Sequence, residues 1–132
     1  MWNALWIFLG GGLGSLARWG LSGLIANTFG ETFPWGTLVV NVSGSFIIGL
    51  FAGLTGPEGR WLAPATFREF VMVGVCGGYT TFSSFSLQTL RLAEGGQWFK
   101  ATANSALSLV LCLLGVWLGH ALAMSLNSSK GN

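Results

Sequence analysis

The chain has 132 residues, of which 52% are hydrophobic and 8% charged; its formal net charge is +2 and its mean hydropathy +0.64. Ordinary soluble domains carry roughly 25% charged residues. The composition therefore excludes a soluble globular domain and defines an integral membrane protein.

A hydrocarbon core of roughly 30 Å takes about 20 helical residues to cross. Four stretches meet that length, with apolar cores at 4–25, 35–54, 70–90 and 101–125, and they predict helices over about 4–25, 35–54, 67–92 and 98–125 of a single transmembrane domain. The connections 27–34, 55–64 and 94–97 are short and rich in helix breakers, which leaves no room for a soluble domain.

The first segment is N-terminal and apolar, but it lacks a basic leading region and carries its one cation, Arg18, late. That pattern argues against a signal peptide. Its cluster Gly10, Gly11, Gly12 and Gly14 lacks the strict spacing and the preceding strand of a phosphate loop. Arg18 is an intramembrane ionisable group and so a functional candidate, although an arginine near a helix end also snorkels to the interface. Trp2, Trp6, Trp35, Trp61 and Trp98 lie near segment ends, where indoles favour the headgroup layer, and none is assigned a ligand role.

The second segment has no charge and contains Asn41, whose amide offers donors and an acceptor. Ser45, Gly49 and Gly53 repeat every four residues along it; Ala101, Ser105, Ser108, Cys112, Gly115 and Gly119 step by four and three along the fourth. Small residues at this period let backbones approach closely within a bilayer. Cys76 and Cys112 fall inside predicted helices at spacing that matches no metal or redox motif, and read as buried free thiols.

The third segment holds the run Gly77-Gly78-Tyr79-Thr80-Thr81-Phe82-Ser83-Ser84-Phe85-Ser86. A glycine pair followed by two threonines weakens a helix where lipid cannot satisfy free carbonyls. Carbonyls of Gly77 and Thr80, repeated by a two-fold axis, would suit a hard cation such as sodium. A plain glycine kink, with threonine hydroxyls bonded to the preceding turn, accounts equally well for the spacing. Phe82 and Phe85 share a helix face, beside a polar stripe of Thr81, Ser84 and Gln88. Ring edges and hydroxyl donors hold a dehydrated anion without a full positive charge, the intermediate strength that conduction needs. Taken alone, two membrane phenylalanines are more often lipid-facing or filler.

Charge also bears on topology and on the sign of the permeant ion. With the N-terminus on one side, that side collects Arg60, Arg68 and Lys130, and the other collects Arg91 and Lys100, with Arg18 buried toward it. This near balance gives the positive-inside rule little purchase, so insertion in both orientations and an antiparallel homodimer are expected. The chain has no Asp, and Glu31, Glu58, Glu69 and Glu94 fall in loops or at helix ends. Without a membrane carboxylate, an anion pathway fits better than a cation or proton carrier.

The run from Gly77 to Ser86 closely resembles the signature of the Fluc/CrcB fluoride channels. Trp35-Gly36-Thr37-Leu38-Val39-Val40-Asn41 and the Gly-rich first helix ending Leu16-Ala17-Arg18-Trp19 resemble the same family, and the likeness spans essentially the whole chain. The resemblance implies an all-α membrane protein with four transmembrane helices per subunit, the third broken at mid-membrane. It also implies an antiparallel dual-topology homodimer with two pores, a passive exit for cytosolic fluoride in the cell membrane. By this likeness Phe82, Phe85, Asn41, Ser83, Ser84 and Thr37 line the pore, Arg18 and Gln88 belong to its vestibule, and the carbonyls of Gly77 and Thr80 hold a structural Na+. Fluoride, lipid and a second copy are the expected partners, with no nucleic acid and no enzymatic activity.

Two positions depart from the family pattern, Gln88 where many members carry Glu and Cys112 where a Ser is frequent. Gln88 keeps a hydrogen-bonding group but loses charge and titration, and Cys112 is a weaker donor. A small multidrug transporter of similar size needs the membrane carboxylate missing here. An assembly-only membrane protein leaves the polar track of the third segment without purpose, and an enzyme lacks a nucleophile or metal set.

Overall fold

The computed structural model describes residues 2–129, so Lys130 of the charge balance lies outside the described residues. The elements are all helical: α1 (Trp2–Phe29), α2 (Trp35–Thr55), α3 (Ala65–Glu69), a π-helical segment (Phe70–Cys76), α4 (Gly77–Tyr79), α5 (Phe82–Glu94) and α6 (Trp98–Ser128). No strand occurs among the described residues.

The helix ends follow local chemistry. Gly30 at φ 78° stops α1 and returns its N–H to the Ala26 carbonyl at 2.8 Å, the left-handed glycine stop that a residue with a Cβ adopts poorly. Pro34 and Pro64 stand immediately before α2 and α3. Gly96 at φ 73° makes the tight turn between α5 and α6, with the Gln97 N–H on the Leu92 carbonyl at 2.8 Å. The first and last helices, at 28 and 31 residues, outrun the expected 4–25 and 98–125. Polar residues continue both, and Thr28 bonds its hydroxyl to the Leu24 carbonyl at 2.8 Å.

Three spans are long and apolar enough to cross a membrane: Trp35–Thr55, Ala65–Glu94 taken across its break, and Trp98–Ser128. At 28 residues α1 has the length, but Arg18, its tryptophans and its glycines dilute its hydropathy and it is not among the three.

Small residues set the packing. The long contact between α2 and α6 places Gly49 against the Val116 carbonyl, Gly53 against the Ala123 methyl, and Gly115 and Gly119 against the backbone of Val42 and Phe46. The small-residue stripes of these two helices thus meet each other, and Ala101 and Ser108 of α6 are buried as well. The glycines of α1 serve a second seam: Gly10 faces the backbone of Phe70 and Gly74, and Gly14 faces the Val75 carbonyl and the Tyr79 amide. Large side chains instead point outward, as a lipid-facing surface requires; Trp2, Phe8, Trp19 and Phe99 are all exposed.

A Cβ at Gly49 has no room beside the Val116 carbonyl, whereas one at Gly23 meets nothing within 4 Å. Gly49→Leu is expected to destabilise the detergent-solubilised protein by at least about 1–3 kcal/mol through overpacking. Gly23→Ala should leave the thermal midpoint near that of the parent; equal midpoints for parent and Gly49→Leu would show that the seam is not tight.

Candidate functional site

The site is built around an interruption of two residues. Thr80 (φ −82°, ψ 158°) and Thr81 (φ −153°, ψ 112°) are extended, and the helical path stops between α4 and α5. The glycines preceding them do not form the break: Gly77 and Gly78 lie within α4, and Gly77 has helical angles. Glycine here serves close approach instead, since a Cβ on Gly78 would strike the Gly11 backbone.

An interruption strands peptide groups, and nearby side chains take them up. The Thr81 N–H, which in a continuous helix would close on the Gly77 carbonyl, donates instead to Asn41 Oδ1 at 2.7 Å. Asn41 Nδ2 donates back to the Thr81 carbonyl at 3.0 Å. One carboxamide thus bonds both backbone polar groups of Thr81, a residue 7% exposed. From α1, Ser15 Oγ donates to the Gly78 carbonyl and Arg18 Nη1 to the Thr80 carbonyl, each at 3.4 Å. The Thr80 N–H and hydroxyl both end the preceding turn on the Cys76 carbonyl, at 3.0 and 2.9 Å. Tyr79 Oη lies 2.8 Å from Ser43 Oγ, which fixes the last residue of α4 against α2.

Thr81 also begins α5. Its Oγ1 accepts the Ser84 N–H at 3.1 Å, an N-cap. The same hydroxyl donates to Ser84 Oγ at 3.0 Å and lies 3.2 Å from Ser83 Oγ, so three hydroxyls gather at the N-terminal end of this helix. Immediately beyond them the Phe82 and Phe85 rings meet at 5.3 Å with planes tilted by 50°. Phe82 is 79% exposed, and Phe85 is half-buried.

Two cavities follow one another along this region. One, of about 600 Å³, is lined by Asn41, Gly77, Thr80, Phe82, Phe85 and Cys112, among others. The second, of about 410 Å³, is lined by Thr37, Gln88, Arg91, Glu31 and Gln97 near the helix ends. Thr37 and Asn41 are one turn apart on α2, and Phe85 and Gln88 are one turn apart on α5. The two helices therefore carry the lining of one cavity into that of the next.

Of the residues expected from the sequence, Asn41, Phe82, Phe85, Gly77 and Thr80 share the larger cavity, while Thr37 and Gln88 share the smaller. Ser83 and Ser84 belong to the hydroxyl cluster and line neither, and Arg18 reaches the break through the Thr80 carbonyl. Sequence reasoning passed over Ser43, Tyr79, Thr89 and Asn104. Asn104 is only 2% exposed and donates to Thr89 Oγ1 at 2.8 Å. A lone carboxamide within an apolar segment was the available signal.

The "CrcB-like protein, Camphor Resistance (CrcB)" family matches residues 5–120, and the chain belongs to that family. It is 66% identical over 128 residues to the "Fluoride-specific ion channel FluC" of Opitutus terrae, covering 97% of each chain. Proteins of the same name from Rhodospirillum rubrum and Methylocella silvestris are 63% and 55% identical, covering 93% and 96% of this chain and 95% and 97% of theirs. With its apolar spans and bacterial relatives, the chain is a multi-pass protein of the plasma membrane.

Replacing Asn41 by Leu orphans the buried Thr81 N–H and takes one donor from the Thr81 carbonyl, which keeps its bond in α5. Each unsatisfied group costs about 1–3 kcal/mol, so Asn41→Leu should lower the thermal midpoint and accelerate deuterium exchange in the segment around Thr81. Unchanged exchange there would show that the two bonds do not hold the break.

Proposed function

We propose that the protein is a fluoride-selective channel, not an enzyme, that lets cytosolic fluoride leave the cell passively. The observation that carries this reading is the succession of cavities along α2 and α5, lined in turn by Thr37 and Gln88 and then by Asn41, Phe82 and Phe85. The name shared by its relatives supports fluoride as the permeant ion.

In this reading the anion meets weak positive ends at each step. Asn41 has two amide protons and directs one to Thr81, leaving the other for a ligand. Phe82 and Phe85 offer ring edges, and Ser83 and Ser84 hold hydroxyl donors at the positive end of the α5 dipole. No ammonium or guanidinium lines the larger cavity, so the ion is held only as strongly as conduction permits. Arg18 draws the anion by its charge while its guanidinium rests on the Thr80 carbonyl.

The pore is completed by a second copy in the opposite orientation, giving a dual-topology homodimer with four transmembrane helices per subunit and two pores. The exposed Phe82 ring and the open side of the larger cavity supply a surface for it, and the near balance of cationic residues removes a fixed orientation. A structural sodium ion at the centre would be held by carbonyls of Gly77 and Thr80. The Gly77 carbonyl fits, because the amide that would close its helical turn is directed to Asn41. The Thr80 carbonyl fits as a hard oxygen donor, at present shared with Arg18 over a long 3.4 Å contact. Such an ion would supply positive charge beside the break.

Purified protein in liposomes should release fluoride rapidly and chloride poorly, with release abolished or severely reduced in Phe82→Ile while the dimer still assembles. Silent, well-folded wild-type dimers would overturn the channel reading. Gln88→Glu should add a carboxylate whose ionisation, near pH 4.3 for an unperturbed Glu, repels the anion. Flux through that variant should fall as pH rises through this range, and a flux as flat with pH as that of the wild type would place Gln88 off the path.

A further inference from the structure

Helix α5 carries the aromatic pair, yet none of its residues is buried. Within the subunit, apolar packing therefore fixes its position against α6 only in part, through half-buried residues such as Phe85 and Leu92, and its few polar ties matter correspondingly more. One is the Thr81 cap at its first turn. The other is a chain of two hydrogen bonds centred on Thr89, about two turns further on: Asn104 Nδ2 of α6 donates to Thr89 Oγ1 at 2.8 Å, and Thr89 Oγ1 donates to the Phe85 carbonyl at 2.8 Å.

The direction of this chain is fixed by chemistry. An amide nitrogen can only donate, and the threonine hydroxyl has one proton. Thr89 must therefore accept from Asn104 and give its proton to Phe85, so each donor in the chain has a single assignment. Asn104 is 2% exposed and among the largest fully buried side chains among the described residues. It is followed directly by Ser105, which lines the larger cavity together with Phe85.

From this geometry we infer that Asn104, acting through Thr89, is a positioning residue that fixes the backbone of Phe85 and hence the separation of its ring from α6. This rests on the channel reading. Asn104 does not line the cavity itself, so its influence on an ion passes through α5. In an apolar surround a bond between helices has no water to replace it, and its loss lets α5 shift or rotate.

The test is fluoride efflux from liposomes loaded at no more than one dimer per vesicle, which reads the rate per channel separately from the fraction of vesicles that empty. Thr89→Val removes the hydroxyl with little change of shape, Asn104→Leu removes the donor, and Thr89→Ser keeps the bond. Thr89→Val and Asn104→Leu should each lower the rate per channel several-fold, the double variant no further than the worse single, and Thr89→Ser should conduct like the wild type. Should Asn104→Leu fail to fold, Thr89→Val against Thr89→Ser decides the matter. The inference is overturned if Thr89→Val conducts at the wild-type rate per channel, or if only the emptied fraction falls, which marks a folding role. It is also overturned if the two losses multiply in the double variant. A silent wild type would instead sink the channel reading, and this inference with it.

Discussion

The structure turns on a backbone amide, that of Thr81, which has left its helix within the membrane span. Between Tyr79 and Phe82 the chain is extended, and the Thr81 N–H loses its helical partner, while the Thr81 carbonyl stands at the cap of α5. In an apolar medium each unpaired group costs several kcal/mol. A break at such a depth persists only where a fixed partner is already in place. Asn41 is that partner, since one planar carboxamide presents a donor and an acceptor side by side, matching the N–H and C=O of one extended residue. A Ser or Thr in its place could meet one of the two groups but not both with that geometry.

The rest of the fold brings donors to the same point. Gly10 and Gly14 let α1 lie directly on the backbone of the π-helical segment and of α4, close enough for Ser15 and Arg18 to reach the Gly78 and Thr80 carbonyls. The Gly49, Gly115 and Gly119 contacts hold α2 to α6, and α2 in turn delivers Ser43 to Tyr79 and Asn41 to Thr81. A π-helix has a wider turn than an α-helix, is rare overall, and is found frequently at functional sites. Here it ends at Cys76, one residue before the last α turn leading into the break. Close backbone approach, ordinarily a matter of stability, thus also sets which carbonyls near the break remain free.

Much of this was legible in the sequence, for reasons that also explain the remainder. Apolar stretches announced the helices, and the four-residue steps of Gly49 and Gly53 and of Gly115 and Gly119 announced close packing, though not that α2 and α6 are each other's partners, because both signals are periodic consequences of helix geometry. The break was legible as a region, but the glycines proved helical and the threonines extended. What decides between them is the partner forty residues away, and spacing within the segment cannot reveal it. The π-helical segment left no mark in composition, because a slipped hydrogen bond requires no particular residue. Helix ends at Phe29 and Ser128 lay beyond the apolar stretches since polar residues prolong a helix once it leaves the hydrocarbon. The Asn104–Thr89 tie was visible only as two polar residues fifteen apart, on different helices.

Under the proposed function, the residues around the aromatic pair divide into those that would meet an ion and those that hold them in place. Phe82, largely exposed, and Phe85, half-buried, present rings whose edges carry partial positive charge. A ring edge is a weak and directional partner, so its usefulness depends on where it points to within a fraction of an ångström, and α5 buries none of its own residues to ensure this. The polar groups at both ends of the pair are accordingly occupied: Thr81 with Asn41 and Ser84, and Thr89 with Asn104 and the Phe85 carbonyl. In the proposed channel, weak partners on a rigid frame would give an anion a path with no deep well, whereas a single lysine or arginine in the larger cavity would supply affinity at the expense of release. The apolar character of that cavity and the polar character of its frame are therefore two sides of one requirement.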